Sequence, residues 1–404
     1  IYSRHDKKLE LTPEIQKRFD LEENTCTPNQ LIRAMLRART DLMWFGGIGT
    51  YIKGKNETND SVGDKGNDAL RINAQELRAK VVGEGANLAM TQQARIEYAL
   101  TGGRCNADYI DNAAGVASSD DEVNIKILLG DVMANPEHKM DIKKRNKLLE
   151  SMTDDVAQHV LRCCYQQVQG ISLMELQAAD NLAQQIRLIS YLEQRVHLNR
   201  ELEFLPCDEE LKNRLSSGKG LTRPELSVLQ SYAKIAYTEA LLNSDIVESK
   251  AMEERLLRYF PEKLSQRYKK EILRHRLRNE IIATTLASGI VNRMGPAFLM
   301  DRMNKCGASA EEVAKAYIIV REAFGLRDIW NRIEALDGKV PAAVQLKALR
   351  ETERMTARAV TWFLTRYGRK LDINRDIANF EDGIRAVKKH MNDVVPSDLL
   401  KTIQ

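Results

Sequence analysis

Glycine is unevenly spread along the 404 residues, and this constrains the fold more than any other feature. Between Gly46 and Gly115 glycines recur directly after short apolar runs, whereas from about Ile125 onward they become sparse. Asp41-Leu42-Met43-Trp44-Phe45 runs into Gly46-Gly47-Ile48-Gly49-Thr50. Lys80-Val81-Val82 enters Gly83-Glu84-Gly85-Ala86-Asn87, and Tyr109-Ile110-Asp111 enters Asn112-Ala113-Ala114-Gly115-Val116. Strand-then-glycine-loop units separated by helical patterns such as Thr91 to Leu100 are what a parallel sheet with crossover helices looks like in sequence. Ligands in such sheets bind beyond the carboxyl ends of the strands, where these loops would lie. The expectation is an α/β part over residues 1–135 and a mostly α-helical region over 136–404.

Only 9 prolines and 22 glycines occur in the chain, so long helices are expected to dominate. Leu182, Ile186, Ile189, Leu192 and Val196 recur at three- and four-residue steps, with Arg187, Glu193 and Arg195 between them. This predicts an amphipathic helix ending before Pro206. Thr222-Arg223-Pro224-Glu225 reads as a capping-box start with proline in the first turn. Breaks are expected near Pro261, Gly289 to Pro296, Gly307 and Asp337-Gly338, with a last helix from Ile377 to His390 that Pro396 ends.

Charge and motifs exclude several function classes. The 61 basic and 57 acidic residues give a net charge of +4, too balanced for a chain that mainly neutralises nucleic-acid phosphates. No apolar run reaches the ~18–20 residues of a membrane helix. The chain opens Ile1-Tyr2-Ser3-Arg4, without a start methionine or signal-peptide pattern, and reads as the middle of a longer polypeptide. There is no GxGxxG fingerprint opening a helix, no GxxxxGK[ST] loop, no HExxH and no His/Cys metal cluster, so no metal is expected. Cys26, Cys105, Cys163, Cys164, Cys207 and Cys306 show no CxxC pair and read as reduced thiols of a cytoplasmic protein. His275, amid Arg274, Arg276 and Arg278, reads as part of a solvated helix face, with Glu280 offsetting local charge.

Ser119 and Glu122 fit an S-x-x-E capping box ahead of a helix from Val123 to Leu129. Ser119 is then an N-cap, and the same geometry, free amides beside a hydroxyl, would suit a substrate carboxylate.

Taken together, Asp41 to Lys53, Val62 to Asn87 and Gly102 to Lys126 resemble the C-terminal half of the nucleotide-binding domain of glutamate dehydrogenases. Compact members carry an EGAN loop, then Asn-Ala-Gly-Gly-Val and a Ser-x-x-Glu helix start. This chain has Glu84-Gly85-Ala86-Asn87, then Asn112-Ala113-Ala114-Gly115-Val116. Trp44 to Tyr51 and Ser119 to Lys126 are similar to the large bacterial NAD-specific members, as are Leu221 to Leu226, Arg278 to Thr284 and Val291 to Gly295 in the helical region.

The resemblance implies a partial Rossmann-like sheet, NAD as cofactor, and oxidative deamination of L-glutamate to 2-oxoglutarate and ammonia. Asn112 would contact the nicotinamide end, and Ser119 would hydrogen-bond the side-chain carboxylate of glutamate. Gly46, Gly47, Gly49, Gly85 and Asn87 would line the cofactor side. Ala114 stands where compact members have glycine, and Asp120-Asp121 replace an aromatic pair. The implied catalytic lysine, acidic proton-transfer residue and dinucleotide fingerprint have no place on this sequence; Lys65 reads as a surface-loop residue. The remainder of the same polypeptide is therefore an expected partner, as is a homo-oligomer, and the chain alone is expected to be inactive. The other readings are a dehydrogenase for another amino acid, which a polar Ser119 disfavours, and a helical scaffold or regulatory module without chemistry of its own. In the latter, Tyr259, Phe260, Trp330, Trp362 and Phe363 would serve the core or subunit contacts.

Overall fold

The computed structural model describes residues 2–390. Pro396, expected to end the last helix, lies outside the described residues. The chain divides into two compact units, one of Ile1–Glu122 with Val156–Ser231 and the other of Val123–Asp155 with Tyr232–Gln404.

In the first unit, threonine–proline pairs open the two leading helices. Thr12 caps α1 (Pro13–Phe19), and Thr27 forms a reciprocal capping box with Gln30 at the start of α2 (Pro28–Leu36). Short strands β1 (Leu9–Glu10) and β2 (Thr25–Cys26) pair antiparallel and bury Leu9 and Cys26 against Leu31.

The next segment holds two short parallel pairs. β3 (Leu42–Phe45) pairs with β6 (Val81–Glu84), setting Trp44 opposite Gly83 and Phe45 opposite Glu84. Between them in sequence, β4 (Ile52–Lys53) pairs with β5 (Ile72–Asn73), and the short α3 (Asn59–Val62) is capped by Thr58. Side chains alternate across strands, so Phe45 and Val82 enter a core with Ile52, Ile72, Met90 and Tyr98. Leu42, Trp44 and Val81 face the other way and are exposed. Helix α4 (Gln92–Leu100), capped by Thr91, is the expected crossover pattern and contributes Ala94 and Tyr98 to that core.

Two expectations here are corrected. Tyr109-Ile110-Asp111 is not a strand; it lies in the short helix α5 (Asp108–Asp111). The segment running parallel to β6 on its other side is at Arg104, whose carbonyl accepts from Val82 N–H at 2.9 Å and whose N–H donates to Lys80 O at 3.1 Å. A three-residue apolar run is too short for periodicity to separate strand from helix. Likewise Asn112 to Gly115 is not a loop, because helix α6 runs from Ala113 to Ala134. Gly115 costs that helix about 1 kcal/mol relative to alanine, and Ala113, Ala114 and Ala117 around it are strong helix formers.

The rest of the described chain is helical. It comprises α7 (Ile142–Glu150), α8 (Thr153–Leu176), α9 (Leu182–Val196), α10 (Asp208–Ser216), α11 (Arg223–Leu242), α12 (Glu253–Tyr259), α13 (Glu262–Arg267), α14 (Lys269–Leu273) and α15 (Arg278–Met294). It ends with α16 (Phe298–Cys306), α17 (Ala310–Ala323), α18 (Leu326–Glu334), α19 (Ala342–Tyr367) and α20 (Ile373–Lys389). Helix α9 has the predicted bounds and buries Leu182, Ile189 and Leu192, leaving Arg187 and Arg195 outside. At the start of α11 the Glu225 carboxylate accepts from the Thr222 amide at 2.6 Å. Gly289 does not break a helix: α15 runs through it and stops at Gly295, whose φ is +78°.

In the second unit His275 departs from the expected solvated face. It is buried, with Nε2 3.0 Å from the Asn124 carbonyl and Nδ1 accepting from Leu277 N–H at 3.1 Å. Burial lowers its pKa, and this bonding pattern belongs to a neutral ring protonated at Nε2. Tyr259, Phe260, Trp330 and Phe363 are buried, whereas Trp362 stays exposed beside Phe363, Tyr367 and Phe380. Among the described residues no helix is long and apolar enough to cross a membrane.

Candidate functional site: the carboxyl ends of two parallel strands

The parallel register of β3 and β6 brings their following loops out side by side. Phe45 and Glu84 end the pair, and Ala86 N–H donates to the Phe45 carbonyl at 3.1 Å, tying the Gly85 loop to the Gly46 loop. Gly46, Gly47, Gly85 and Asn87 are all exposed at this end. A side chain at Gly47 would meet no atom within 4 Å, so the backbone there is open to a ligand.

Gly49 and Gly85 have other structural reasons to be glycine. Gly49 has φ +130°, and an added Cβ would lie 2.6 Å from Asn67 Nδ2. At Gly83 and Gly85 an added Cβ would lie 2.6 Å from the Trp44 ring, which covers both. Trp44 itself is 59% exposed. The sequence signal for this contact is an aromatic in one strand run, Trp44, and the glycines Gly83 and Gly85 in the neighbouring one.

The Gly46–Thr50 loop is held from below. Asp64 Oδ2 accepts from Thr50 N–H and from Asn67 Nδ2, each at 2.7 Å, and these bonds hold its carboxyl below the usual carboxylate range. Arg71 donates to the Thr50 carbonyl at 2.9 Å and to the Asp64 carbonyl at 2.6 Å. Lys65 is an exposed member of the turn carrying these groups.

The Gly83–Asn87 loop rests on a buried charged network that the motifs did not reveal. Arg95 from α4 grips Glu84 with two bonds, Nε–Oε2 2.6 Å and Nη2–Oε1 2.9 Å, and reaches Asp108 Oδ2 at 3.3 Å. Glu84 also accepts from Met90 N–H at 3.0 Å. Asp108 Oδ2 accepts from Leu88 N–H at 2.9 Å, and Asp111 Oδ2 accepts from Glu84 N–H at 3.0 Å. Desolvation raises the pKa of both Glu84 and Asp111. Asn106 Nδ2 donates to Asp111 Oδ1 at 2.7 Å, and Arg223 donates to Asn106 Oδ1 at 2.8 Å and to Glu175 at 2.7 Å. The carboxylates on α5 thus fix the β6 loop and the entry to α6 together.

Asn112 sits directly at that entry, after Asp111. Its side-chain Nδ2 is buried and has no hydrogen-bond partner among the described residues. A buried amide donor left unpaired costs about 1–3 kcal/mol, so it is suited to an acceptor supplied by a ligand.

Ser119 is placed differently from expectation. It is an exposed residue in the second turn of α6, not the cap of a helix starting at Val123. The dipole of a helix acts within its first turn, so no free amides surround Ser119 and its hydroxyl alone faces out. Ser119 lies seven positions after Asn112, which immediately precedes α6, a spacing of about two helical turns. The site residues therefore form two groups, the strand-end loops with Asn112, and Ser119 farther along α6.

Comparison with known proteins completes this picture. A family described as "Bacterial NAD-glutamate dehydrogenase, catalytic domain" matches residues 1–174, and "Glutamate dehydrogenase, C-terminal" matches residues 218–404. A chain with short parallel strand pairs and a long run of helices is here of the glutamate dehydrogenase class. The chain belongs to the bacterial NAD-glutamate dehydrogenase family. It is 46% identical over 395 residues to the NAD-specific glutamate dehydrogenase of Pseudomonas aeruginosa, covering 98% of this chain and 24% of that protein. The Halomonas elongata enzyme of the same name is 46% identical over 90% of this chain and 22% of its own length. That of Mycobacterium tuberculosis is 37% identical over 98% and 25%. The chain thus spans about a quarter of the length of these relatives.

Proposed function

We propose that this chain forms the nucleotide side of the cleft of an NAD-dependent glutamate dehydrogenase that converts L-glutamate to 2-oxoglutarate and ammonia. The observation that carries this reading is the unpaired, buried Nδ2 of Asn112, the residue after Asp111, whose carboxylate holds the end of β6. NAD, when bound, supplies the hydride acceptor. The open backbone at Gly46 and Gly47 would let the cofactor approach closely, and Asn112 would hold its nicotinamide end through Nδ2–H. Ser119 O–H donates to the side-chain carboxylate of glutamate. Gly49, Gly85 and Asn87 shape the loops through Asn67, Trp44 and the turn of the chain.

Residues 1–135 then act as half of a Rossmann-like nucleotide-binding domain whose remaining part lies elsewhere in the polypeptide. The exposed Leu42, Trp44 and Val81 support this, since parallel sheets are covered on both faces. The catalytic lysine and the proton-transfer acid belong to that remainder. Residues 136–404 form the helical domain that assembles a cytoplasmic homo-oligomer; the half-exposed Trp362, packed against the buried Phe363 and the part-buried Tyr367 and Phe380, supports a contact role. Steady-state kinetics of the intact enzyme carrying Ser119→Ala test the substrate assignment. A higher KM for glutamate with KM for NAD unchanged is expected, and an unchanged glutamate KM with unchanged kcat overturns it.

A further inference from the structure

Away from the strand-end loops, three side chains of the first unit form a relay around an exposed thiol. His159 and Cys163 lie one turn apart on α8, with Nε2 3.7 Å from Sγ. The other ring nitrogen, Nδ1, is 2.9 Å from Oδ2 of Asp121, which is almost wholly buried. The carboxylate fixes the ring so that Nε2 faces the sulfur, and together with the sulfur it raises the His159 pKa to about 10. With the ring protonated, its Nε2–H points at Sγ. A nucleophile, a proton-carrying histidine and a buried acid that orients it are the parts of an activated nucleophile. Cys163 is exposed, so a reagent can reach it, whereas Cys26 and Cys105 are buried and burial pushes both thiols up.

We propose that Cys163 is a thiol–disulfide exchange site for low-molecular-weight disulfides, with His159 stabilising negative charge on sulfur and Asp121 positioning His159. Cys163 sulfur attacks one sulfur of the small disulfide; a Cys163–S–S–R bond forms, the R–S–S–R bond breaks, and the departing thiolate takes up the proton lost from Cys163. One disulfide is consumed and one is formed, so no further oxidant is required. The site is independent of the proposed dehydrogenase reading, because it uses none of the residues assigned to cofactor or glutamate.

The test is timed incubation of the intact protein with oxidised glutathione at pH 7, followed by peptide-level mass spectrometry of each cysteine. Cys207 serves as an internal reference, exposed but followed by Asp208, Glu209 and Glu210. Cys163 is expected to be modified at least about ten-fold faster than Cys207, and dithiothreitol to reverse it. His159→Gln is expected to bring Cys163 to within about two-fold of Cys207, with Asp121→Asn in between. Equal rates at Cys163 and Cys207 in the unsubstituted protein overturn the proposal, and that comparison requires no variant to fold. A rapid Cys163 that stays rapid in a folded His159→Gln variant overturns the role of His159.

Discussion

The Arg95 guanidinium closes two parallel bonds onto the Glu84 carboxylate at 2.6 and 2.9 Å, with both side chains nearly excluded from water. This fork joins the crossover helix α4 to the last residue of β6, and so to the loop that follows. Truncating one partner leaves an uncompensated buried charge, which costs about 3–5 kcal/mol. Arg95→Leu is therefore expected to lower the urea midpoint of the first unit strongly, as followed by Trp44 fluorescence. The double variant Arg95→Leu/Glu84→Leu is expected to recover a large share of the loss. A single variant as stable as the parent would contradict the network described around Asp108 and Asp111.

The glycines of the two loops separate into those serving the fold and those open to a ligand. Gly49→Ala places Cβ against Asn67 at a positive φ and is expected to destabilise by about 1–3 kcal/mol. Gly85→Ala must displace the Trp44 indole, which a shift in tryptophan emission reports. Gly47→Ala meets nothing and is expected to leave thermal stability within about 0.5 kcal/mol of the parent. A calorimetric scan of the three variants, with NAD affinity measured alongside, checks the division. Gly47→Ala is the one expected to weaken NAD without weakening the fold.

His159 gives a pH dependence whose sign is fixed by its partner. Its folded pKa, about 10, lies above the ~6.5 of a free histidine, so the folded state holds the proton more tightly. The stability this contributes is fully present below about pH 6.5 and is lost as pH rises through about 10. The Tm difference between the parent and His159→Gln is accordingly expected to be largest at pH 6 and to shrink by pH 10.5. A difference that grows with pH would contradict the Asp121–His159 pairing.

Arg255 in the second unit presents the opposite situation. Its Nε is buried without a partner among the described residues, and burial together with Arg321 and Arg327 pushes its pKa down. Replacing this half-buried arginine with an apolar side chain of similar length removes the desolvation cost that burial places on its charge. Arg255→Met is expected to raise the Tm, and a lowered Tm would show that this guanidinium has a partner in the intact protein.

Much of the helical architecture was legible because a 3.6-residue period over fifteen residues, as in α9, has no competing reading. The start of α11 was legible from Thr222 and Glu225, three residues apart, where the Glu225 carboxylate accepts from both the amide and the hydroxyl of Thr222. The charged network was not, since Glu84 and Arg95 are eleven residues apart and meet only when α4 folds back along β6. The Ser119 capping box failed for a different reason. Its pattern is real, but the alanines around Gly115 let α6 start earlier, and a helix already running leaves Ser119 no free amides to cap. The arginines around His275 suggest a solvated face, and Arg274 and Arg276 are exposed, but the ring itself is buried and turned to the Asn124 carbonyl, a tertiary contact that no local pattern signals.

Calorimetric NAD binding to the intact enzyme, parent against Asn112→Ala, tests whether the Asn112 amide holds the cofactor. Loss of one hydrogen bond to a ligand acceptor corresponds to about 0.5–1.5 kcal/mol. Kd for NAD is expected to be several-fold to about ten-fold higher, with thermal stability in the absence of NAD no lower than that of the parent, since the unpaired donor is removed. An NAD affinity equal to that of the parent would contradict it.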